Sequence, residues 1–165
     1  MHEFVTMDRR ALMRNVALLL GAASIPTLAG CKAAMEGKGV LDEAQLKLLT
    51  AIADTIIPVT DTPGAAAAGV PKLLDGMLRD WASENSRTEL VGAIDAIGKL
   101  DKGFAELDPA KRKAVLVEYD KAAVQPGPPR KEKLSGFAAM VAGPPVANPG
   151  YVKLKGLIIN LYYNS

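Results

Sequence analysis

The sequence is poor in the side chains that carry most enzyme chemistry. Its 165 residues include one histidine, His2, one cysteine, Cys31, and one tryptophan, Trp81, and aromatic residues make up 5%. The formal charge is only +2, with no basic run and no interleaved aromatic stripe. Nucleic-acid binders need such a positive surface, so we expect no nucleic-acid partner. The length suits one domain.

The N-terminal thirty residues have the layout of an export signal. Arg9, Arg10 and Arg14 form a basic region, and an apolar stretch over residues 16–25 follows it. This stretch is shorter than the roughly 20 residues that a membrane-spanning helix needs. The arginine pair ahead of the apolar stretch resembles a twin-arginine signal. We therefore predict that residues 1–30 are a twin-arginine-type signal peptide, with Arg9 and Arg10 as the export signal.

The signal ends in a short motif of small residues. Residues 28–31, Leu-Ala-Gly-Cys, resemble a bacterial lipobox, in which the cysteine thiol receives the lipid. This predicts lipidation of Cys31, a flexible tether over residues 31–41 and a periplasmic, membrane-anchored lipoprotein. The alternatives are an ordinary cleavage site with an incidental cysteine, or an amphipathic N-terminal helix of a cytosolic protein.

Cleavage before Cys31 would also remove His2. The remaining chain could then build neither a serine or cysteine triad with histidine, nor a His-ligated metal site, nor a disulfide. We expect no catalytic, cofactor-binding or metal-binding residues in this chain, and so no catalysis by the chain itself.

The rest of the chain is helical in pattern. Apolar residues recur at steps of three and four, and Pro- and Gly-rich stretches separate the segments. The predicted fold is all-α, a small bundle of about five or six helices in a single domain over residues 42–165. The helical segments are residues 42–57, 71–81, 86–104, 108–123, 134–141 and 151–162.

A few residues invite a functional interpretation. Asp54 and Asp61 flank the first loop, but a carboxylate that caps loop amides is a simpler role for Asp61 than a metal ligand. Trp81 is either a core residue or an anchor for a partner. Tyr162 and Tyr163 end an apolar helix and suggest an interface patch, although one of them could fill the bundle instead.

Two stretches carry a family resemblance. Residues 49–65, Leu-Thr-Ala-Ile-Ala-Asp-Thr-Ile-Ile-Pro-Val-Thr-Asp-Thr-Pro-Gly-Ala, continue to Ala-Gly-Val-Pro at residues 68–71. Together with the ending Tyr162-Tyr163-Asn164-Ser165, they closely resemble the gluconate 2-dehydrogenase subunit 3 family. The similarity, with the export signal, covers essentially the whole chain.

This resemblance implies a non-catalytic small subunit of a periplasmic oxidoreductase complex. The partner would be a large FAD-dependent sugar or sugar-acid dehydrogenase of the glucose-methanol-choline type, often accompanied by a cytochrome c subunit. The small subunit would bind and stabilise this flavoprotein, help to export it and tether it at the membrane. The resemblance allows gluconate, glucose or a glucoside oxidised at C3 as the substrate, as in a glucoside 3-dehydrogenase.

The resemblance also suggests which residues contact the partner. They lie in the loop at residues 58–70 and in the C-terminal helix, with Trp81 as a further candidate: Pro58, Thr60, Asp61, Thr62, Pro63, Gly64, Trp81, Tyr162 and Tyr163. The alternative for the loop is an internal connection buried within this subunit. The alternative for the whole chain is a freestanding envelope lipoprotein that binds a small ligand in a closed pocket or acts as a scaffold.

Overall fold

A computed structural model describes residues 39–129 and 144–164 of the chain. In these ranges the fold is all-α and has no strand, which confirms the predicted class. Five α-helices follow one another, with two short 3-10 turns, Leu100–Lys102 and Phe104–Glu106, after the third. The helices are α1 Glu43–Ile56, α2 Val70–Asp80, α3 Glu84–Gly98, α4 Pro109–Ala123 and α5 Pro149–Tyr163.

Most helix starts follow directly from the sequence. Asp42 caps α1 and forms a capping box with Gln45, and Asp108 caps α4 ahead of Pro109. The sequence also offers Ser86, followed three residues later by Glu89, as a capping box that would begin the helix predicted over residues 86–104. That prediction is wrong for α3. Ser83 is the cap, and its side chain accepts a hydrogen bond from the Ser86 amide at 3.3 Å. The helix therefore begins a few residues earlier than expected, and Ser86 is buried inside its first turn.

The third helix also ends earlier than the apolar pattern predicts. The pattern continues to Phe104, but α3 stops at Gly98. Asp101 and Gly103 then have φ values of 44° and 127°, in the region that right-handed helices exclude. The chain therefore turns sharply, and Phe104 enters the core from the second 3-10 turn with its side chain fully buried.

The C-terminal helix α5 is the central element of the bundle. It contacts all four other α-helices, and its inward residues Tyr151, Leu154, Leu157 and Ile158 are almost completely buried. Gly150 lets α5 approach α3 closely, since an added Cβ would lie 3.1 Å from the Glu89 carbonyl oxygen. The packing of α5 in the core therefore fixes the position of its C-terminal residues.

The two described ends of the connection between α4 and α5, residues 125–127 and 145–147, are joined by backbone hydrogen bonds. An isolated antiparallel bridge joins Pro126 and Val146, and the Gly127 amide donates to the Pro145 carbonyl at 3.1 Å. Gly127 is needed there, because a Cβ would lie 2.1 Å from the Val146 carbonyl oxygen. The predicted helix at residues 134–141, the signal peptide and most of the tether lie outside the described residues.

Candidate partner-binding surface

The loop after α1 is held by hydrogen bonds within its own backbone. The Ala65 amide donates to the Ile57 carbonyl at 3.0 Å, and the Thr60 amide donates to the Thr62 carbonyl at 3.0 Å. Gly64 is buried where the two sides of the loop meet, and a Cβ on it would lie 2.9 Å from the Val59 nitrogen. The loop is therefore a compact structure of fixed shape.

The alanine-rich stretch that follows forms helical turns ahead of α2. The Ala66 amide donates to the Asp54 carboxylate at 2.9 Å, so this acid on α1 holds the first turn. Gly69, with a φ of 78°, then redirects the chain into α2. Asp61, expected to cap loop amides, has no such bond among the described residues. Hydrogen bonds to Thr60 and to backbone carbonyls take that role, which leaves the Asp61 side chain exposed.

The end of α5 docks on this loop. The Tyr162 hydroxyl donates to the Pro63 carbonyl oxygen at 2.8 Å and lies 3.3 Å from the Thr62 hydroxyl. Because its proton is used on Pro63, the phenol oxygen accepts from Thr62. Tyr162 also meets Tyr163 edge to face, with ring centroids 5.2 Å apart. The two stretches that carry the family resemblance thus form one continuous feature of the surface.

We call this feature the loop–helix knob: residues 58–63 with Tyr162 and Tyr163. The side chains of residues 58–63 and of Tyr163 are exposed, whereas Tyr162 is partly buried against the core. Val59 is 68% exposed and Tyr163 is 75% exposed, and these are the two most exposed large apolar side chains in the described part of the chain. These two exposed apolar side chains make the knob a candidate interaction surface.

Trp81 does not belong to the knob. It caps the C-terminus of α2, whereas the knob precedes the N-terminus of that helix. The indole is partly buried against the core. Nearby, the Arg87 guanidinium donates to the carbonyls of Leu78, Arg79 and Ala82, which closes the end of α2. Among the residues suggested for partner contact, the structure therefore brings together all except Trp81.

Sequence reasoning missed one buried acid. Asp75 on α2 is 7% exposed, and its Oδ1 accepts from the amides of Val40 and Leu41 at 2.8 and 2.9 Å. An added Cβ on Gly39 would overlap Oδ2 of Asp75, at a distance of 1.4 Å. The available signal was its place at the edge of the apolar face of α2, between Leu74 and Leu78, where a charged residue needs a partner.

A second polar cluster joins α4 and α5. Burial raises the pKa of Tyr151, and its hydrogen bond with the Asp120 carboxylate raises it further. Burial opposes ionisation of Asp120, but hydrogen bonds from Lys155, at 2.6 Å, and from Tyr151 outweigh it and lower the pKa of Asp120. Asn148 donates to the Tyr119 hydroxyl at 2.8 Å. These groups bond one another, and the cluster serves packing.

The remaining features of the described part are the possible metal ligands, the helix lengths and one surface depression. Residues 39–129 and 144–164 contain no group of three or more His, Cys, Asp or Glu side chains placed to hold a metal ion. Within the same ranges, every helix is too short or too polar to cross a membrane. A depression of about 330 Å³ between α1 and α3 is open to solvent, with Gln45, Asp95 and Lys99 in its lining.

These features define a small helical domain with a structured loop–helix surface that exposes two large apolar side chains. The family comparison agrees with it: residues 43–165 match the model of the gluconate 2-dehydrogenase subunit 3 family. The chain belongs to this family, as its sequence motifs predict. No curated protein and no solved structure matches the chain at a significant level.

Proposed function

We propose that this chain is the non-catalytic small subunit of a complex whose large subunit is an FAD-dependent sugar or sugar-acid dehydrogenase. The observation that carries the proposal is membership of the subunit 3 family over residues 43–165, which implies a complex with a larger dehydrogenase subunit. A chain with one histidine at position 2 and one cysteine at position 31 is suited to holding a partner rather than to redox chemistry. The flavin belongs to the large subunit, of the glucose-methanol-choline type.

In this proposal the small subunit also determines where the complex works. The twin-arginine-type signal exports folded proteins, which suits a partner that acquires FAD in the cytoplasm. Lipidation of Cys31 would then hold the complex at the periplasmic face of a membrane, close to a cytochrome c subunit or another electron acceptor. The supporting evidence is the arginine pair Arg9-Arg10 and the lipobox at residues 28–31.

The freestanding lipoprotein alternative has less support. It predicts a closed pocket for a small ligand, whereas the depression between α1 and α3 is open to solvent. It also gives no role to the exposed Val59 and Tyr163.

A pull-down from the native locus tests the proposal. Tagged full-length protein is purified, and the eluate is scanned for flavin absorbance. We expect a large co-purifying protein with a flavin spectrum that a sugar or sugar acid bleaches. A clean monomer without flavin would contradict the proposal.

Two signal variants separate export from anchoring. Replacing both Arg9 and Arg10 with lysine should leave the complex in the cytoplasm with its FAD bound. Cys31→Ser should leave the complex exported but released from the membrane fraction. Fractionation followed by dehydrogenase assay of each compartment checks both results.

A further inference from the structure

We propose that the loop–helix knob is the surface that the large dehydrogenase subunit holds, with Val59 and Tyr163 inserted into an apolar cleft and a lysine or arginine of the partner facing Asp61. This inference rests on the proposed function, because the family implies the large subunit as the occupant. It assigns the contact to particular side chains.

The first argument is exposure. Val59 and Tyr163 are 68% and 75% exposed, whereas Val117 on α4 and Val124 at the C-cap of α4 are 42% and 49% exposed. The free energy gained on binding grows with the apolar area that is removed from water, so the more exposed side chains have more to gain from a partner. The knob therefore offers more apolar surface per residue than α4, and an aromatic side chain as well.

The second argument is rigidity. The Ala65 amide bonds the Ile57 carbonyl, and Tyr162 bonds the Pro63 carbonyl, so the knob has its shape before it meets a partner. Pro58 and Pro63 further restrict the backbone. Binding through a preorganised surface avoids the entropy cost of ordering a loop. The arrangement fits a preformed cleft better than a flexible partner segment.

The third argument concerns charge. Asp61 is the only ionisable side chain among residues 58–64, it is exposed, and it lies between Thr60 and Thr62. A cleft that buried this carboxylate without a cation would face a large desolvation cost. A lysine or arginine at the rim of the partner's cleft avoids that cost and guides the approach.

The side chains of the knob have two roles. Val59 and Tyr163 are contact residues, because they project into solvent. Tyr162 is a positioning residue, because its hydroxyl fixes the end of α5 to Pro63 and its ring packs edge to face on Tyr163. Removing that hydroxyl should change the placement of Tyr163 without removing any contact surface.

The test measures binding of purified subunit variants to the FAD-loaded large subunit recovered in the pull-down. Tyr163→Ser and Val59→Ser should each raise the Kd at least tenfold. The matched valine controls are Val117→Ser on α4 and Val124→Ser at the C-cap of α4, and each should change the Kd less than twofold. Tyr162→Phe should raise the Kd about threefold, with the unfolding midpoint of the free subunit nearly unchanged.

Salt dependence tests the role of Asp61. The Kd of the wild-type subunit should rise with ionic strength, and Asp61→Asn should both raise the Kd and flatten this dependence. If the wild-type subunit binds and the knob variants bind equally well, the knob is not the interface, although the proposed function stands. If the wild-type subunit does not bind at all, the proposed function fails, and this inference fails with it.

Discussion

At each end of α1, a side chain from another helix forms hydrogen bonds with the backbone of the adjoining segment, but the two segments differ in exposure. At the N-terminal end, a side chain from α2, Asp75, binds the backbone of residues 40 and 41. At the C-terminal end, a side chain from α5, Tyr162, binds the backbone of Pro63. Asp75 is buried, and of the two residues that it holds, Leu41 packs against the core and Val40 is 39% exposed. Tyr162 holds a loop whose side chains at residues 58–63 are exposed.

The comparison teaches that stability and recognition are separated along this subunit. Helix α1 has 14 residues and so spans about 20 Å between the two ends. At the N-terminal end, the buried Asp75 carboxylate and the partly buried Leu41 tie the chain to the core. The loop–helix knob lies at the other end, where the side chains face outward. Substitutions at the first end should therefore affect folding, and substitutions at the second should affect binding.

The largest expected effect is at Asp75. Asp75→Ala removes the acceptor of two amides, and hydrogen bonds to a charged group contribute about 1.5–3 kcal/mol each when partly buried. We expect a loss of about 2–3 kcal/mol in the free energy of unfolding, measured by urea denaturation. Asp61→Ala, at the exposed knob, is the control and should change it by less than about 0.5 kcal/mol. Equal losses of unfolding free energy in the two variants would show that the two ends of α1 do not differ in their contribution to stability.

Gly39→Ala tests the same end without touching Asp75. Its new Cβ would overlap the Asp75 carboxylate, so that side chain must move and at least one of its amide bonds must lengthen. We expect a loss of about 1–2 kcal/mol in the free energy of unfolding. Gly156→Ala is the matched control, because nothing lies within 4 Å of its Cβ position in the interior of α5. It should be neutral or slightly stabilising, and a loss as large as that of Gly39→Ala would mean that close contact is not the cause.

The cluster of Tyr151, Asp120 and Lys155 should make the stability of the fold depend on pH. The pKa of Tyr151 is raised in the folded state, so its neutral phenol stabilises the fold fully below the unfolded pKa, near 10. That contribution should be lost as the pH rises above about 10. Tyr151→Phe should lower stability at pH 7 by about 1 kcal/mol and weaken the alkaline decline. Urea denaturation at several pH values checks this, and an unchanged decline in the variant would assign it to other groups.

The smallest effect on folding is expected at the knob. Val59→Ser and Tyr163→Ser remove exposed side chains, so each should change the free energy of unfolding by less than about 0.5 kcal/mol. Thermal unfolding of the free subunit measures this. A larger loss would show that these side chains support the fold, and a loss of partner binding could then not be attributed to the contact alone.

The sequence predicts the helices well where a capping residue or a proline marks the start. Pro71 and the pair Asp108-Pro109 place the starts of α2 and α4 within about one residue. Apolar spacing alone starts α5 at Tyr151, two residues after its actual start at Pro149. The sequence fails at the start of α3, because both Ser83 and Ser86 resemble caps and only the chain path selects between them. It also fails at the end of α3, since apolar spacing continues into Phe104 through a turn that depends on backbone conformation at Asp101 and Gly103.

The candidate surface was predictable in part. The loop motif and the C-terminal tyrosines could be identified separately, but nothing in the sequence shows that Tyr162 reaches Pro63, 99 positions away. The two views of the loop, internal connection and partner contact, each describe part of it. Gly64 and Ala65 are buried, whereas residues 58–63 are exposed. Asp75 escaped prediction because its partners are backbone amides, which have no sequence signature.

Hydrogen exchange of the subunit, free and bound to the flavoprotein, tests the separation of the two ends most directly. The account predicts that binding slows amide exchange in residues 57–66 and at the end of α5, around Tyr162 and Tyr163. Exchange in residues 39–48 and on α4 should stay as it is in the free subunit. Protection confined to α4, or to the region around Asp75, with no change at the knob, would contradict the account.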